Sequence, residues 1–303
     1  MFAPPVPADI SLQPPMDGLS SISWSGDSSK LLVSSWDGSV QVHDTSALQG
    51  GLRPPTIFPT QVAVLAATFS SQTPNGRTAY SGGLDKRLRE WDFETGQNRV
   101  LGKADDAIST VTACGDSGIV ITVVSMAHRN VHVYDVRKLE EPKQKRESAL
   151  KFMTRSVACM ADGKGECTRI QLTLVVLAGE KHMGGLTESS NTTGWASGSI
   201  EGRIAVEYFD AELESRNHNT FASGGSDGTV SIWDHNAKKR MKQYPHFPTE
   251  VSCLAFSPDG EKLAIGVSYE HDNGVSQADE MSKTALLIKT TVMDDCRPKT
   301  KAA

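Results

Sequence analysis

The most regular signal in the chain is a short alternation of apolar and polar residues, broken by a tight turn, that recurs. At residues 221–234, FASGGSDGTVSIWD, Phe221, Val230, Ile232 and Trp233 supply the apolar positions of two short strands. Strand side chains alternate between faces, so such residues mark the covered side. Ser226-Asp227-Gly228 is the turn between them, because Asp-Gly tolerates the positive φ of a hairpin that follows strand twist. The same phrase returns as SSWDGSVQVHD ending at Asp44 and SGGLDKRLREWD ending at Asp92, with weaker copies ending at Asp135 and Asp210. A second phrase, strand then polar turn then strand, pairs residues 19–35 with 251–268.

The two phrases together predict three to four strands per repeat, a propeller blade, and the Trp-Asp ending marks the WD-repeat kind. Closing Asp residues stand 48 positions apart from Asp44 to Asp92 and 43 apart from Asp92 to Asp135, against about 40–45 for one blade. The next intervals are 75 and 24, so the array is irregular in its middle. The expectation is an all-β WD-repeat β-propeller with six recognisable blades, at least one of them lacking strands.

Residues 1–8 are expected to form a flexible tail, 9–294 the propeller and 295–303 a flexible basic tail. Ile10–Leu12 is expected to pair with the last blade and close the ring, which removes two exposed sheet edges. Blade one is placed at Leu19–Ala47 and blade two at Val62–Thr95, with Thr73-Pro74-Asn75-Gly76 as a hairpin turn. Val136–Ser148 reads as a charged connecting loop, Leu150–Met160 as a strand, and residues 166–194 as an unmatched insertion or loop. Residues 212–219 leave little room for the opening strand of the next blade.

Composition narrows the chemistry. With 38% hydrophobic and 22% charged residues and a net charge of −5, the chain is globular and carries no basic signature of nucleic-acid binding. Five cysteines without a Cys-x-x-Cys pair point to buried thiols in a reducing compartment. No secretory signal or membrane span is expected. His128 and His132 lie some ~13 Å apart at strand rise, too far for one zinc. No P-loop, dinucleotide fingerprint or nucleophile elbow occurs, so neither catalysis nor a cofactor is expected. Asp37, Asp85 and Asp227 have turn-fixing roles. Trp36 stands out as a large aromatic in a turn, where the other copies are read as Gly83 or Ser226. Aromatics on such rims anchor partners. Arg203 is a second departure, where the repeat has a small or β-branched residue after Gly.

The stretches LQPPMDGLSSISWS, LLVSSWDGSVQVHD, AYSGGLDKRLREWD, HVYDVRKL, KRESALKFMTR, GSIEGRIAVEYFD, NTFASGGSDGTVSIWD and LAFSPDGEKLAI resemble the Bub-three family of spindle-checkpoint WD-repeat proteins, whose close cousin is the Rae-one mRNA-export family. The resemblance implies a seven-bladed propeller that binds a GLEBS segment of the checkpoint kinase Bub-one or its Mad-three/BubR-one relative. It also implies docking on a kinetochore scaffold through phosphorylated Met-Glu-Leu-Thr repeats, in the nucleus and at kinetochores as well as in the cytoplasm. Trp36 and Arg203 match family positions on the partner-binding face, and Arg155 remains as a basic candidate for that surface. The alternatives are a nuclear-pore adaptor of the Rae-one type and a substrate-recruiting propeller of a ubiquitin ligase.

Three departures from the family pattern stand out: a second Trp-bearing turn phrase is missing after Thr122, residues 166–194 have no counterpart, and a basic phrase after Asp210 is absent. A chain short of about one blade leaves strand edges and apolar faces uncovered, which favours aggregation. Restoring family-like segments at these points should raise the melting temperature; a restored chain that melts no higher would show that the departures cost nothing.

Overall fold

The computed structural model describes residues 9–46, 53–70, 72–114, 119–124, 130–135, 144–147, 186–188, 194–198, 204–208, 220–225, 227–234, 239–269 and 283–290. Among these residues every regular element is a strand. Strand β1 (Ile10–Leu12) is followed by β2 (Leu19–Trp24), β3 (Lys30–Ser35), β4 (Ser39–Asp44) and β5 (Thr56–Pro59), which form one antiparallel sheet. A second sheet holds β6 (Val64–Phe69), β7 (Thr78–Gly83), β8 (Arg87–Asp92) and β9 (Gln97–Lys103); a third holds β10 (Ile108–Cys114), β11 (Ile119–Val124), β12 (Asn130–Asp135) and β13 (Gln144–Glu147). The remaining strands are β14 (Leu186–Glu188), β15 (Gly194–Gly198), β16 (Ile204–Tyr208), β17 (Thr220–Gly224), β18 (Val230–Asp234), β19 (Lys239–Gln243), β20 (Val251–Phe256), β21 (Leu263–Val267) and β22 (Ala285–Lys289). They form a sheet in the order β14-β17-β18-β19, a two-stranded sheet β15-β16, and a closing sheet β1-β22-β21-β20. Five four-stranded blades and one two-stranded pair are thus described.

The closing strand sits where the sequence predicts it, with Ile10 opposite Ile288 and Leu12 opposite Leu286. Blades one and two each run past their expected ends, because β5 and β9 add outer strands. β5 and β9 are largely exposed, so no apolar alternation announces them. β13 corrects the loop reading of Val136–Ser148: Gln144–Glu147 pairs with β12. Likewise β14 falls inside the stretch read as insertion or loop, and supplies the opening strand of the β17–β19 blade from the far side of the β15–β16 hairpin. A period-two pattern over three residues carries too little information to be seen. The expected tails and the strand over Leu150–Met160 lie outside the described residues. The point after Thr122 where the family segment is missing falls inside β11, which pairs with β10 on one side and β12 on the other, so a four-stranded blade forms across it.

The repeat phrases have packing causes. Trp91 and Trp233, the tryptophans of the closing Trp-Asp, each donate Nε1–H to a serine ten residues earlier, Ser81 and Ser223, at 2.8 Å. The following Asp ends the strand by capping a turn: Asp92 Oδ1 accepts from the Glu94 amide and Asp44 Oδ1 from the Ser46 amide, both at 2.9 Å. The Ser-Gly phrase before each hairpin marks where the next blade leans in. A Cβ on Gly82 would lie 2.3 Å from Ile108 Cγ2, and one on Gly224 2.5 Å from Val251 Cγ1. In blade one the equivalent residue is Ser34, whose hydroxyl shares hydrogen bonds with Ser20 (2.8 Å) and Ser21 (2.7 Å).

Blades meet through apolar seams. Leu31 and Val33 pack with Leu12, Leu286 and Ile288 of the closing blade. Val40, Phe58, Phe69 and Trp91 join blades one and two. Ala222 and Ile232 meet Val251, Leu254 and Ile265. Each seam removes about 1.5–3 kcal/mol worth of apolar side chain from water per buried residue. Gly224→Ala should therefore cost about 1–3 kcal/mol by overpacking. Thermal melts of Gly224→Ala, Val251→Ala and the double variant should show a combined loss smaller than the two single losses added; additive losses would mean that the two positions do not meet.

Candidate functional site

One end of the propeller gathers the hairpins that join the second and third strands of each blade, together with the connections between blades. Its turns are built alike. Gly38 donates to the Ser35 carbonyl, Lys86 to Gly83 and Gly228 to Gly225, at 3.0–3.2 Å. All three residues have positive φ, +82° at Gly38, +65° at Lys86 and +71° at Gly228. The preceding Asp holds each turn from its side chain, as its spacing predicts. Asp37 Oδ1 accepts from the Ser39 amide at 2.7 Å, Asp85 Oδ1 from Arg87 at 3.2 Å and Asp227 Oδ1 from Thr229 at 3.0 Å.

Trp36 sits in the first of these turns, half-buried. Its amide donates to the Gly18 carbonyl at 3.0 Å, and its ring lies over Gly18, where a Cβ would be 3.5 Å from Cδ1. Its counterpart in blade two is Leu84, not Gly83: each residue immediately precedes the turn Asp, and Leu84 donates to the Ala63 carbonyl as Trp36 does to Gly18. Blades one and two thus place an apolar residue, Trp36 or Leu84, where the third of these turns has Ser226. Counting back from the Asp, rather than matching the Ser-Gly pair, would have found it.

The connections between blades extend this apolar row. Met16, 89% exposed, donates its amide to Asp37 Oδ2 at 3.1 Å, which fixes it beside the Trp36 turn. On the other side Thr60 donates to the Gly38 carbonyl at 2.7 Å, bringing Val62 and Ala63 against the same turn and next to Leu84. Met16, Val62 and Leu84 are three of the five exposed large hydrophobic residues among those described; the other two, Ile57 and Val100, lie on the outer strands β5 and β9. Polar groups under the row are neutralised internally. Burial pushes the Asp85 carboxyl up, but its bond to the Arg89 guanidinium and to the Arg87 amide outweigh that and hold it below the usual carboxylate range. Lys86 Nζ donates to the Asp105 carbonyl at 3.0 Å and lies 3.7 Å from Asp106. Met16 and Val62 carried no sequence signal, each being a single apolar residue in a connection.

Arg203 and Arg155 lie outside the described residues, so Trp36 is the one predicted site residue with a described environment. Among the described residues no group of three or more His, Cys, Asp or Glu side chains is placed to hold a metal ion. What the row offers is an apolar strip crossing two blades, suited to anchoring the side chains of an extended segment.

The chain is similar to known WD-repeat proteins. The profile of the WD domain, G-beta repeat, matches residues 11–44, 214–234 and 238–276. The chain is 30% identical to the mitotic checkpoint protein BUB3.1 of Arabidopsis thaliana, covering 95% of this chain and 94% of the relative. That match runs over 362 positions, more than the 303 residues of this chain, so it steps over relative segments that the chain lacks. A poly(A)+ RNA export protein of Schizosaccharomyces pombe is 25% identical over 95% of this chain and 92% of its own length. In fold, the structure of U3-55K superposes with a TM-score of 0.66 at 15% identity, covering 93% of this chain and 98% of that one.

Asp37 ties the row together, since its two oxygens hold the Ser39 and Met16 amides. Asp37→Ala should destabilise the fold by about 1 kcal/mol and free the Met16 connection, while Asp37→Asn, which keeps an acceptor, should recover part of the loss. Equal melting of all three proteins would remove the tie.

Proposed function

The chain belongs to the Bub-three family of mitotic checkpoint WD-repeat proteins, and we propose that it acts as a non-enzymatic scaffold that takes a GLEBS segment of a checkpoint kinase, or of its Mad-three/BubR-one relative, along the Trp36 rim. The carrying observation is the set of apolar residues Met16, Trp36, Val62 and Leu84 brought to neighbouring turns of one rim by hydrogen bonds on both sides of the Trp36 turn. Rigid turns of this kind present anchors without an ordering cost, and buried aromatic anchors dominate such interfaces. Arg203 acts as the partner for acidic residues of the bound segment. Docking at kinetochores, through phosphorylated Met-Glu-Leu-Thr repeats, is the second activity in this proposal, with nuclear and kinetochore residence following from it.

Both activities are weaker here than in a family member with all its blades. The second Trp-bearing turn after Thr122 is missing, which removes one aromatic contact. Phosphate recognition needs clustered basic groups that form charge-assisted bonds, and the basic phrase after Asp210 is missing too, leaving Arg155 as the basic candidate. The similarity to the RNA export protein favours a nuclear-pore adaptor as the second reading, with a GLEBS segment of a nucleoporin as the ligand of the same rim.

Calorimetric titration separates these. A checkpoint GLEBS peptide should bind the wild type and lose roughly thirty-fold in affinity with Trp36→Ala, with a further loss for Arg203→Glu. Affinity unchanged in both variants would remove the site assignment. A nucleoporin GLEBS peptide binding more tightly than the checkpoint peptide would favour the export reading, and phosphopeptide binding as tight as in an intact relative would show that the missing basic phrase is dispensable.

A further inference from the structure

The seam between blade one and the closing blade differs from the others in its polar content. In blades carrying the Trp-Asp ending, the indole is anchored on a serine ten residues earlier. Blade one has His43 in place of the Trp and Val33 in place of the Ser. His43 is 1% exposed, and neither ring nitrogen has a partner. Two residues earlier on the same face of β4, buried Gln41 leaves its Oε1 unpaired as well. His43 and Gln41 lie opposite Leu31 and Val33 of β3, which pack against Leu286 and Ile288 of β22. Thr290, one residue past the end of β22, has a buried and unpaired Oγ1. Three of the four buried side-chain polar atoms that lack a partner among the described residues therefore lie on the blade-one wall of this seam, and the fourth, on Thr290, directly follows the strand that forms the other wall.

Such groups each cost stability in the closed state, and a proton on the imidazole raises that cost, because an imidazolium needs acceptors or water. The charged groups on the elements packed here have partners of their own. Lys289 of β22 pairs with Asp9, just before β1, at 2.9 Å and lies over the Tyr244 ring. Asp44 of β4 binds Ser46 and Arg53. Lys262, just before β21, lies over the Trp24 ring. Lys30 of β3 extends to the blade-two side, its Cδ 3.3 Å from a Cβ built on Gly76. Burial alone displaces the His43 pKa, down to about 4.

We propose that the seam between blade one and the closing blade is a proton-operated latch of the ring, in which a proton taken from solvent by His43 favours release of β1 and β22 from blade one. The sign follows from linkage. The folded-state pKa lies below the ordinary value of 6.5, so closure is at full strength above about pH 6.5 and weakens as pH falls, levelling off near pH 4. Below pH 6.5 the opened seam binds a proton that the closed one excludes. The connection leaving β1 carries Met16 to the partner-binding rim, so opening also disturbs that rim.

The experiment is amide hydrogen exchange of the full chain between pH 7 and pH 5, corrected for intrinsic exchange rates. Opening measured at β4 and β22 should increase roughly twentyfold over that range, while β6–β8 of blade two stay protected. His43→Phe should flatten the response, and the double change His43→Trp with Val33→Ser, which rebuilds the indole–serine bond of the other blades, should flatten it and raise protection at neutral pH. Parallel changes in blade two and the seam would overturn the proposal, as would a response that persists in whichever variant folds.

Discussion

The structure depends on closing a ring of sheets whose faces are apolar on both sides. Among the described residues, blade one, blade two and the closing blade each pack one face against the blade before and the other against the blade after, so none of them is finished alone. The three-residue strand β1 carries much of this burden. Through Ile10 and Leu12 it pairs with β22 and places Leu12 in the seam with blade one. The same seam is bonded from the blade-one side: the Leu19 amide donates to Ser268 Oγ at 2.9 Å, and Trp24 Nε1 to the Ala255 carbonyl at 3.0 Å. These contacts join residues more than 200 positions apart in sequence, so their loop-closure entropy is recovered only when the whole ring is assembled.

The proposed binding rim is a by-product of the same closure. The rim on which Trp36 sits is shaped by what each blade needs in order to turn, an Asp holding the amide two residues on and a positive-φ residue after it. The residue before the Asp has no such duty, and is Trp36 in blade one and Leu84 in blade two. Connections between blades pass directly beside these turns, which is why Met16 and Val62 join the row. The proposed recognition surface would thus use positions that the fold leaves free while the fold fixes their backbone.

Much of this was legible in the sequence, and the limits are physical. Strong repeats were visible wherever a strand is buried on both faces or ends on a Trp-Asp, as in β8 and β18. Outer strands such as β5 and β9 were invisible because they are mostly solvated, and β13 and β14 because they are short and polar. The Bub-three resemblance stood on phrases that the structure explains, including the Ser-Gly steps that let Ile108 and Val251 approach. The proposed rim was half legible. Trp36 announced itself by being large in a turn, whereas Leu84 was hidden by matching the repeat at the Ser-Gly pair, and Met16 and Val62 join the row only through hydrogen bonds that fold the connections back on Asp37 and Gly38. His43 passed unremarked in the copy ending at Asp44, because its lack of partners depends on Val33 and the facing blade.

The most direct test of the account is to map where a bound partner lies. A GLEBS peptide of a checkpoint kinase carrying a photo-activated cross-linker at successive positions would be bound to the full chain, irradiated, and the linked residues identified by mass spectrometry. The account predicts cross-links concentrated at residues 16–18, 36–38, 60–63 and 84–86, along the apolar row across blades one and two. Cross-links confined to the outer strands β5, β9 and β19, or to the opposite end of the ring, would contradict it.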